Sequence, residues 1–209
     1  SKLAYMALFG RGLPQDDMQA GHWATLAVRQ GLAVAQYRLG VFYTNGQGVE
    51  RDDAAALRWY KAAADQGDAR AQSALGWVYS EGRGVARDPA ASLRWLRLSA
   101  AQGDATAQHN LGMAALNGRG MARDPVAAER WIRRAADSGY APAQVSLGLM
   151  YAAGDAEVAD DAQAVEWYRK AAAQGNASGQ HNLGWMLANG LGVARDDAAH
   201  HRAGDIVQE

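Results

Sequence analysis

Between Asp68 and Gly103 the apolar positions follow a helical rhythm and do not alternate. At 100° per residue, Ala71, Leu75, Val78 and Tyr79 share about 100° of arc, the buried stripe of an amphipathic helix. Asp68 stands where an N-cap accepts from the first free backbone N–H groups, and Gly82-Arg83-Gly84 supplies the left-handed residue that closes a helix. A second helix opens at Asp88-Pro89, N-cap then N1 proline, runs through Leu93, Trp95 and Leu96, and stops at Gly103. Asp104 then caps the next helix. Such short turns force antiparallel neighbours, so the segment predicts a hairpin of a first and a second helix, stacked on its successor.

The pattern returns every 36 residues. Leu-Gly stands at Leu39-Gly40, Leu75-Gly76, Leu111-Gly112, Leu147-Gly148 and Leu183-Gly184. A tryptophan column runs through Trp23, Trp59, Trp95, Trp131 and Trp167, and a glycine column through Gly31, Gly67, Gly103, Gly139 and Gly175. Asp16, Asp52, Asp88, Asp124, Asp160 and Asp196 form a cap column in the same register. Chance does not hold so many columns in step over a whole chain.

These residues resemble the Sel1-like repeat, a relative of the tetratricopeptide repeat, with the pattern AxAQxxLGxxYxxGxGVxxDxxxAxxWYxxAAxQG. It stands almost unbroken as AVAQYRLGVFYTNGQGVERDDAAALRWYKAAADQG at residues 33–67 and again at 69–103. The resemblance implies an all-α fold, a right-handed α/α solenoid of antiparallel hairpins whose first helices line a concave surface that holds other proteins. One such domain is expected over 1–209, with a partial repeat at 1–31, full repeats at 32–67, 68–103, 104–139 and 140–175, and a C-terminal capping repeat at 176–209.

Departures from the pattern mark the ends and one loop. Ala156 replaces the second loop glycine in APAQVSLGLMYAAGDAEVADDAQAVEWYRKAAAQG, so that loop is expected to differ in shape. In the last unit Ala203 replaces the column tryptophan and His200-His201 leads into a polar tail, which reads as a cap of the core or a contact for weak self-association through the solenoid end. At the amino end Phe9-Gly10-Arg11-Gly12-Leu13 aligns with Asn45-Gly46-Gln47-Gly48-Val49, so the chain enters the register partway along a first helix. The natural protein is expected to begin earlier, with more repeat or with an export signal. The compartment is accordingly read as periplasmic or otherwise exported, with cytoplasmic as the alternative.

Composition narrows the chemistry. The 209 residues include 47 Ala, 24 Gly, 4 Pro and no Cys, which removes disulfides, thiolate metal sites and a cysteine nucleophile. A formal net charge of −1, with arginines interleaved among Asp and Glu, argues against nucleic acid. No apolar run is long enough to insert in a membrane. The GRG tripeptides at 10–12, 82–84 and 118–120 lack the Lys-Ser/Thr of a phosphate loop and recur as punctuation between helices.

The constant columns are expected to be structural. Each column indole should wedge between its own hairpin and the next, at a cost of about 3–5 kcal/mol for Trp→Ala. The Leu-Gly glycines, Gly184 included, should let the two helices of a hairpin approach closely. Function is expected where residue type varies, on the first-helix face turned away from Leu75. The candidate protein-binding residues there are Tyr37, Arg38, Val41, Arg70, Ser73, Trp77, His109, Asn110, Met113, Leu149, His181, Asn182 and Trp185. Trp77 and Trp185 lie outside the structural tryptophan column and are the sharpest of these; the competing reading packs position 77 against the neighbouring first helix.

No catalytic, cofactor or metal site is expected. His22 is isolated, His109 and His181 lie two repeats apart, and His200-His201 has no spaced third ligand. The cap aspartates have helices to cap, and Asn176 of the sequon Asn176-Ala177-Ser178 reads as the cap of the last first helix. The chain is therefore read as a non-catalytic scaffold for a protein or peptide. The resemblance adds a narrower alternative, an immunity or regulatory protein that neutralises a cognate toxin or effector. A cell-wall-related hydrolase is the third reading.

Overall fold

The cap column opens helices as its spacing requires. In the computed structural model, which describes residues 31–154 and 159–192, the Asp52 carboxylate accepts from Ala55 N–H at 2.9 Å, Asp88 from Ala91 at 2.9 Å and Asp160 from Gln163 at 3.0 Å. At the alternate position Asp68 accepts from Ala71 at 3.1 Å, Asp104 from Ala107 at 2.8 Å and Asn176 from Gly179 at 2.9 Å. Each bond satisfies one of the amide groups that a helix start leaves without a partner. Gly46, Gly82, Gly118 and Gly154 close first helices at φ 69, 73, 67 and 72°, backbone that favours glycine.

Nine helices and no strand result among the described residues, in two compact units that divide between Asp124 and Pro125. The first unit holds α1 (Ala33–Asn45), α2 (Asp53–Ala64), α3 (Ala69–Glu81), α4 (Pro89–Ala101) and α5 (Ala105–Asn117). In it α1 pairs with α2 and α3 with α4, each hairpin packs on the next helix, and α3 also touches α5. The second unit holds α6 (Pro125–Asp137), α7 (Ala141–Ala153), α8 (Asp161–Ala173) and α9 (Ala177–Ala188), where successive helices pack together and α7 also touches α9. The expectations for Trp23, His22, residues 1–30, the Ala156 loop, His200, His201 and the tail fall outside the described residues.

On the second helices a deep column of large side chains lies one residue beyond the tryptophans. Tyr60, Leu96, Ile132 and Tyr168 are 3, 4, 0 and 2% exposed, whereas Trp59, Trp95 and Trp131 are only half-buried and Trp167 alone joins the core. Trp95 still packs on the core cluster formed by α2 and α3. A one-residue step rotates a side chain by about 100° on a helix, and that rotation carries Tyr60, Leu96 and Tyr168 onto the glycine of the partner helix. Arg134 lies over the half-buried Trp131 ring at 4.9 Å and Lys170 over the buried Trp167 ring at 3.7 Å.

What the deep column meets is the Leu-Gly glycine. A Cβ on Gly40 would stand 2.6 Å from the Tyr60 ring, and one on Gly148 2.6 Å from the Tyr168 ring. On Gly76 it would meet Leu96 at 2.5 Å. Gly184 meets nothing described within 4 Å, so its expected close approach is not seen among the described residues. Burial pushes the Tyr60 phenol up to about 12, against the opposing hydrogen bond with Thr44 at 2.9 Å; the Tyr168 phenol is likewise pushed up to about 12.

A third column ties repeat to repeat. Gln72, Gln108 and Gln144 are 5, 9 and 4% exposed. Their Nε2 groups donate to the carbonyls of Ala64, Ala100 and Ala136 in the last turn of the preceding second helix, at 3.3, 3.3 and 3.2 Å. Gln72 and Gln144 also accept from Gln102 and Gln174, both at 2.8 Å.

Gly40→Ala and Gly148→Ala are expected to destabilise the fold by about 1–3 kcal/mol, because a rigid ring must move. Gly76→Ala should cost less, since Leu96 borders open space into which it can shift. Urea midpoints of the three variants test this ranking, and equal losses would refute it.

Candidate functional site

The first helices of the first unit, α1, α3 and α5, carry a groove of about 280 Å³. It is lined by Tyr37 from α1, by Arg70, Ser73, Ala74 and Trp77 from α3, and by Thr106 and Asn110 from α5, with the capping Asp104 at its edge. Five predicted residues, Tyr37, Arg70, Ser73, Trp77 and Asn110, thus come together.

Its side chains are held in place by charge and stacking. Asp68, which caps α3, also pairs with the Arg70 guanidinium at 2.8 Å. That guanidinium lies over the Tyr37 ring at 4.9 Å, and Tyr37 in turn rests on Tyr60 with ring centres 5.9 Å apart. Burial pushes the Tyr37 phenol up, with Arg70 working against the rise. Arg83 lies over the Trp77 ring at 5.2 Å while bonding Asp53 at 3.4 Å. Two aromatic rings, each faced by a cation, therefore sit on neighbouring helices. Trp77 packs against the core cluster that α2 and α3 form around Leu75 and also lines the groove.

Other predicted residues are placed differently. Ser73 is only 6% exposed, although it lines the groove. Val41 packs on the same core cluster, and Arg38 and His109 are half-buried outside the groove lining. Met113 does not line the groove; it joins Trp77 and Asn110 around a second, smaller cavity that runs between α3, α4 and α5. In the second unit Asn182 is engaged in a hydrogen bond with the Tyr168 phenol, whereas His181 is exposed. Leu149 and Trp185, on the touching helices α7 and α9, are 50 and 56% exposed.

Residues outside the predicted binding set complete the first unit's surface. Arg87 and Arg119 come from inter-helix loops, and Leu93 and Leu96 from a second helix, yet all line the smaller cavity. Their signal was a break in column type: leucine at 96 where tyrosine stands at 60 and 168. Among the described residues no three His, Asp or Glu side chains are grouped to hold a metal ion, and no helix is long and apolar enough to cross a membrane.

The family model of the Sel1 repeat matches the chain six times, over residues 1–32, 33–68, 69–104, 105–140, 141–176 and 177–199. No curated protein matches it. A protective antigen of uropathogenic Escherichia coli with an SLR fold is 41% identical, with a TM-score of 0.81 over 93% of this chain. The chain spans 42% of that protein's length. A Sel1 repeat protein of Oxalobacter formigenes is 29% identical, with a TM-score of 0.85 over 95% of this chain and 80% of that one. An immunity protein of Pseudomonas aeruginosa shares the fold at 22% identity, with a TM-score of 0.58 over 79% of this chain and 61% of its own.

One groove neighbour should titrate with folding. Burial holds the His109 pKa below its ordinary 6.5, so the unfolded chain binds the proton more readily than the folded one. The contribution of neutral His109 is whole above pH 6.5 and is lost as pH falls from there toward the lower folded value. His109→Gln is expected to flatten this part of the stability profile, read as melting temperature from about pH 5 to 7.5. An unchanged slope would count against it.

Proposed function

Because the chain belongs to the Sel1 repeat family, whose members are generally non-catalytic scaffolds for protein interaction, we propose that it holds a protein or peptide partner on the face of its first helices. The observation that carries this reading is the groove where Tyr37 and Trp77 lie on adjacent helices, each under an arginine. Aromatic and arginine side chains are the residues that most often anchor interfaces, because they bury large area at small cost in conformational freedom. In the second unit, Leu149 and Trp185 present exposed apolar surface of their own.

A narrower reading makes the partner a toxin that the chain neutralises, and rescue of cells co-expressing such a toxin distinguishes it from a general scaffold role. The shared fold with the immunity protein is the reason to include that arm.

The test is partner capture from source cells, then affinity of the captured partner for the wild type, Trp77→Ala and Trp185→Ala, each shown to fold by circular dichroism. Loss of one anchor of about 2 kcal/mol should weaken binding about 30-fold. A partner held equally by all three chains would move the site off this face.

A further inference from the structure

The first unit breaks its own repeat at one place, and the break opens a cavity. In α1 and α2 the Tyr60 ring fills the space over Gly40 and meets Thr44 through its phenol oxygen at 2.9 Å. Arg83, from the loop after α3, is spent between Trp77 and Asp53. The residues 36 positions further on are Leu96 for Tyr60, Ser80 for Thr44, Met113 for Trp77, Pro89 for Asp53 and Arg119 for Arg83. Leucine has no ring to reach Ser80, proline has no carboxylate for Arg119, and methionine offers it no aromatic face.

What remains is a cavity of about 170 Å³, comparable with the ~150 Å³ apolar cavity that holds a benzene-sized group. Leu93 and Leu96 line its base, and Trp77 and Met113 its walls. Arg87 and Arg119 stand at its edge, both exposed and neither in an ion pair among the described residues. Glu81, also at the edge, is within 3.4 Å of the Ser80 hydroxyl. Two guanidinium charges against one carboxylate leave a single positive charge, which suits one carboxylate better than a phosphate-dense ligand. Trp77 and Asn110 line both this cavity and the groove, so the two adjoin.

Resting on the reading of the first-helix face as a protein-binding surface, we propose that this cavity is the socket for one large apolar side chain of a bound peptide, whose neighbouring acidic residue pairs with Arg119 and Arg87. Apolar burial supplies affinity, and the free guanidinium groups select an acidic neighbour over a neutral one.

The probe is the blocked dipeptide N-acetyl-Phe-Glu-amide, titrated into the full chain while the indole N–H signals are followed by NMR, with the Trp77 signal assigned through Trp77→Phe. A saturable shift of the Trp77 signal is expected. Changing the probe's Glu to Gln should weaken binding about tenfold, the scale of a charge-assisted hydrogen bond, and changing its Phe to Ala should abolish it. Leu96→Tyr should fill the socket as Tyr60 fills its own site and abolish the shift. Arg119→Gln, in an exposed loop, should reproduce the loss seen with the Gln probe and keeps the test decisive if Leu96→Tyr does not fold. No saturable shift, undiminished binding by folded Leu96→Tyr, or indifference to both Glu→Gln and Arg119→Gln would overturn the socket. If a captured partner binds Leu96→Tyr as well as wild type but is lost with Trp77→Ala, the socket falls and the scaffold reading stands.

Discussion

A glutamine amide buried among alanines must be bonded or it costs about 1–3 kcal/mol, and the fold is organised so that Gln72, Gln108 and Gln144 are. Each donates to a carbonyl in the last turn of the preceding second helix that also accepts from the closing glycine, Gly67, Gly103 or Gly139. One bond therefore satisfies the amide and ties a first helix to the helix end before it. It also sets how far each first helix can slide along the hairpin before it. With that position set, Leu-Gly in α1, α3 and α7 faces the deep side chain of the helix that follows, Tyr60, Leu96 and Tyr168.

Alanine explains how so little apolar bulk suffices. Ala35, Ala63, Ala71, Ala107, Ala128, Ala135, Ala143, Ala164 and Ala171 are all at most 1% exposed. Small side chains bring helix backbones close, so contact is made by many short van der Waals approaches instead of a few large side chains. The remaining bulk is concentrated in the deep column and in inward-facing first-helix residues such as Leu39, Phe42, Leu75, Leu147 and Met150.

Much of this was legible in the sequence because it rests on local chemistry. A capping Asp, an N1 proline and a left-handed glycine act within a few residues, so the starts at Asp52, Asp68, Asp88 and Asp104 and the stops at Gly46, Gly82 and Gly118 follow from spacing alone. The choice between Trp95 and Leu96 as the deeper residue was not legible. Both are apolar and adjacent, and only the packing of α4 on Gly76 settles which turns inward. Variability misled in a related way in the column of Ser73, where Ser73 and Val145 are buried and His181 is exposed. The arginines and leucines of the smaller cavity were hidden because they lie on two loops and a second helix that only the tertiary fold gathers.

The deep column has a consequence for how such a chain can change. Tyrosine at 60 closes the space above its glycine and leucine at 96 leaves it open, while the second-helix caps and the glutamine ties recur in both repeats. Occupancy at that one position acts as an address. Exchanging two letters, Leu for Tyr in one repeat and Tyr for Leu in another, would move the open space above the glycine by a whole 36-residue step and set it among that repeat's own walls. An array of near-identical units can in this way re-space its contacts to a new ligand in discrete increments, with fold and recognition drawing on separate columns.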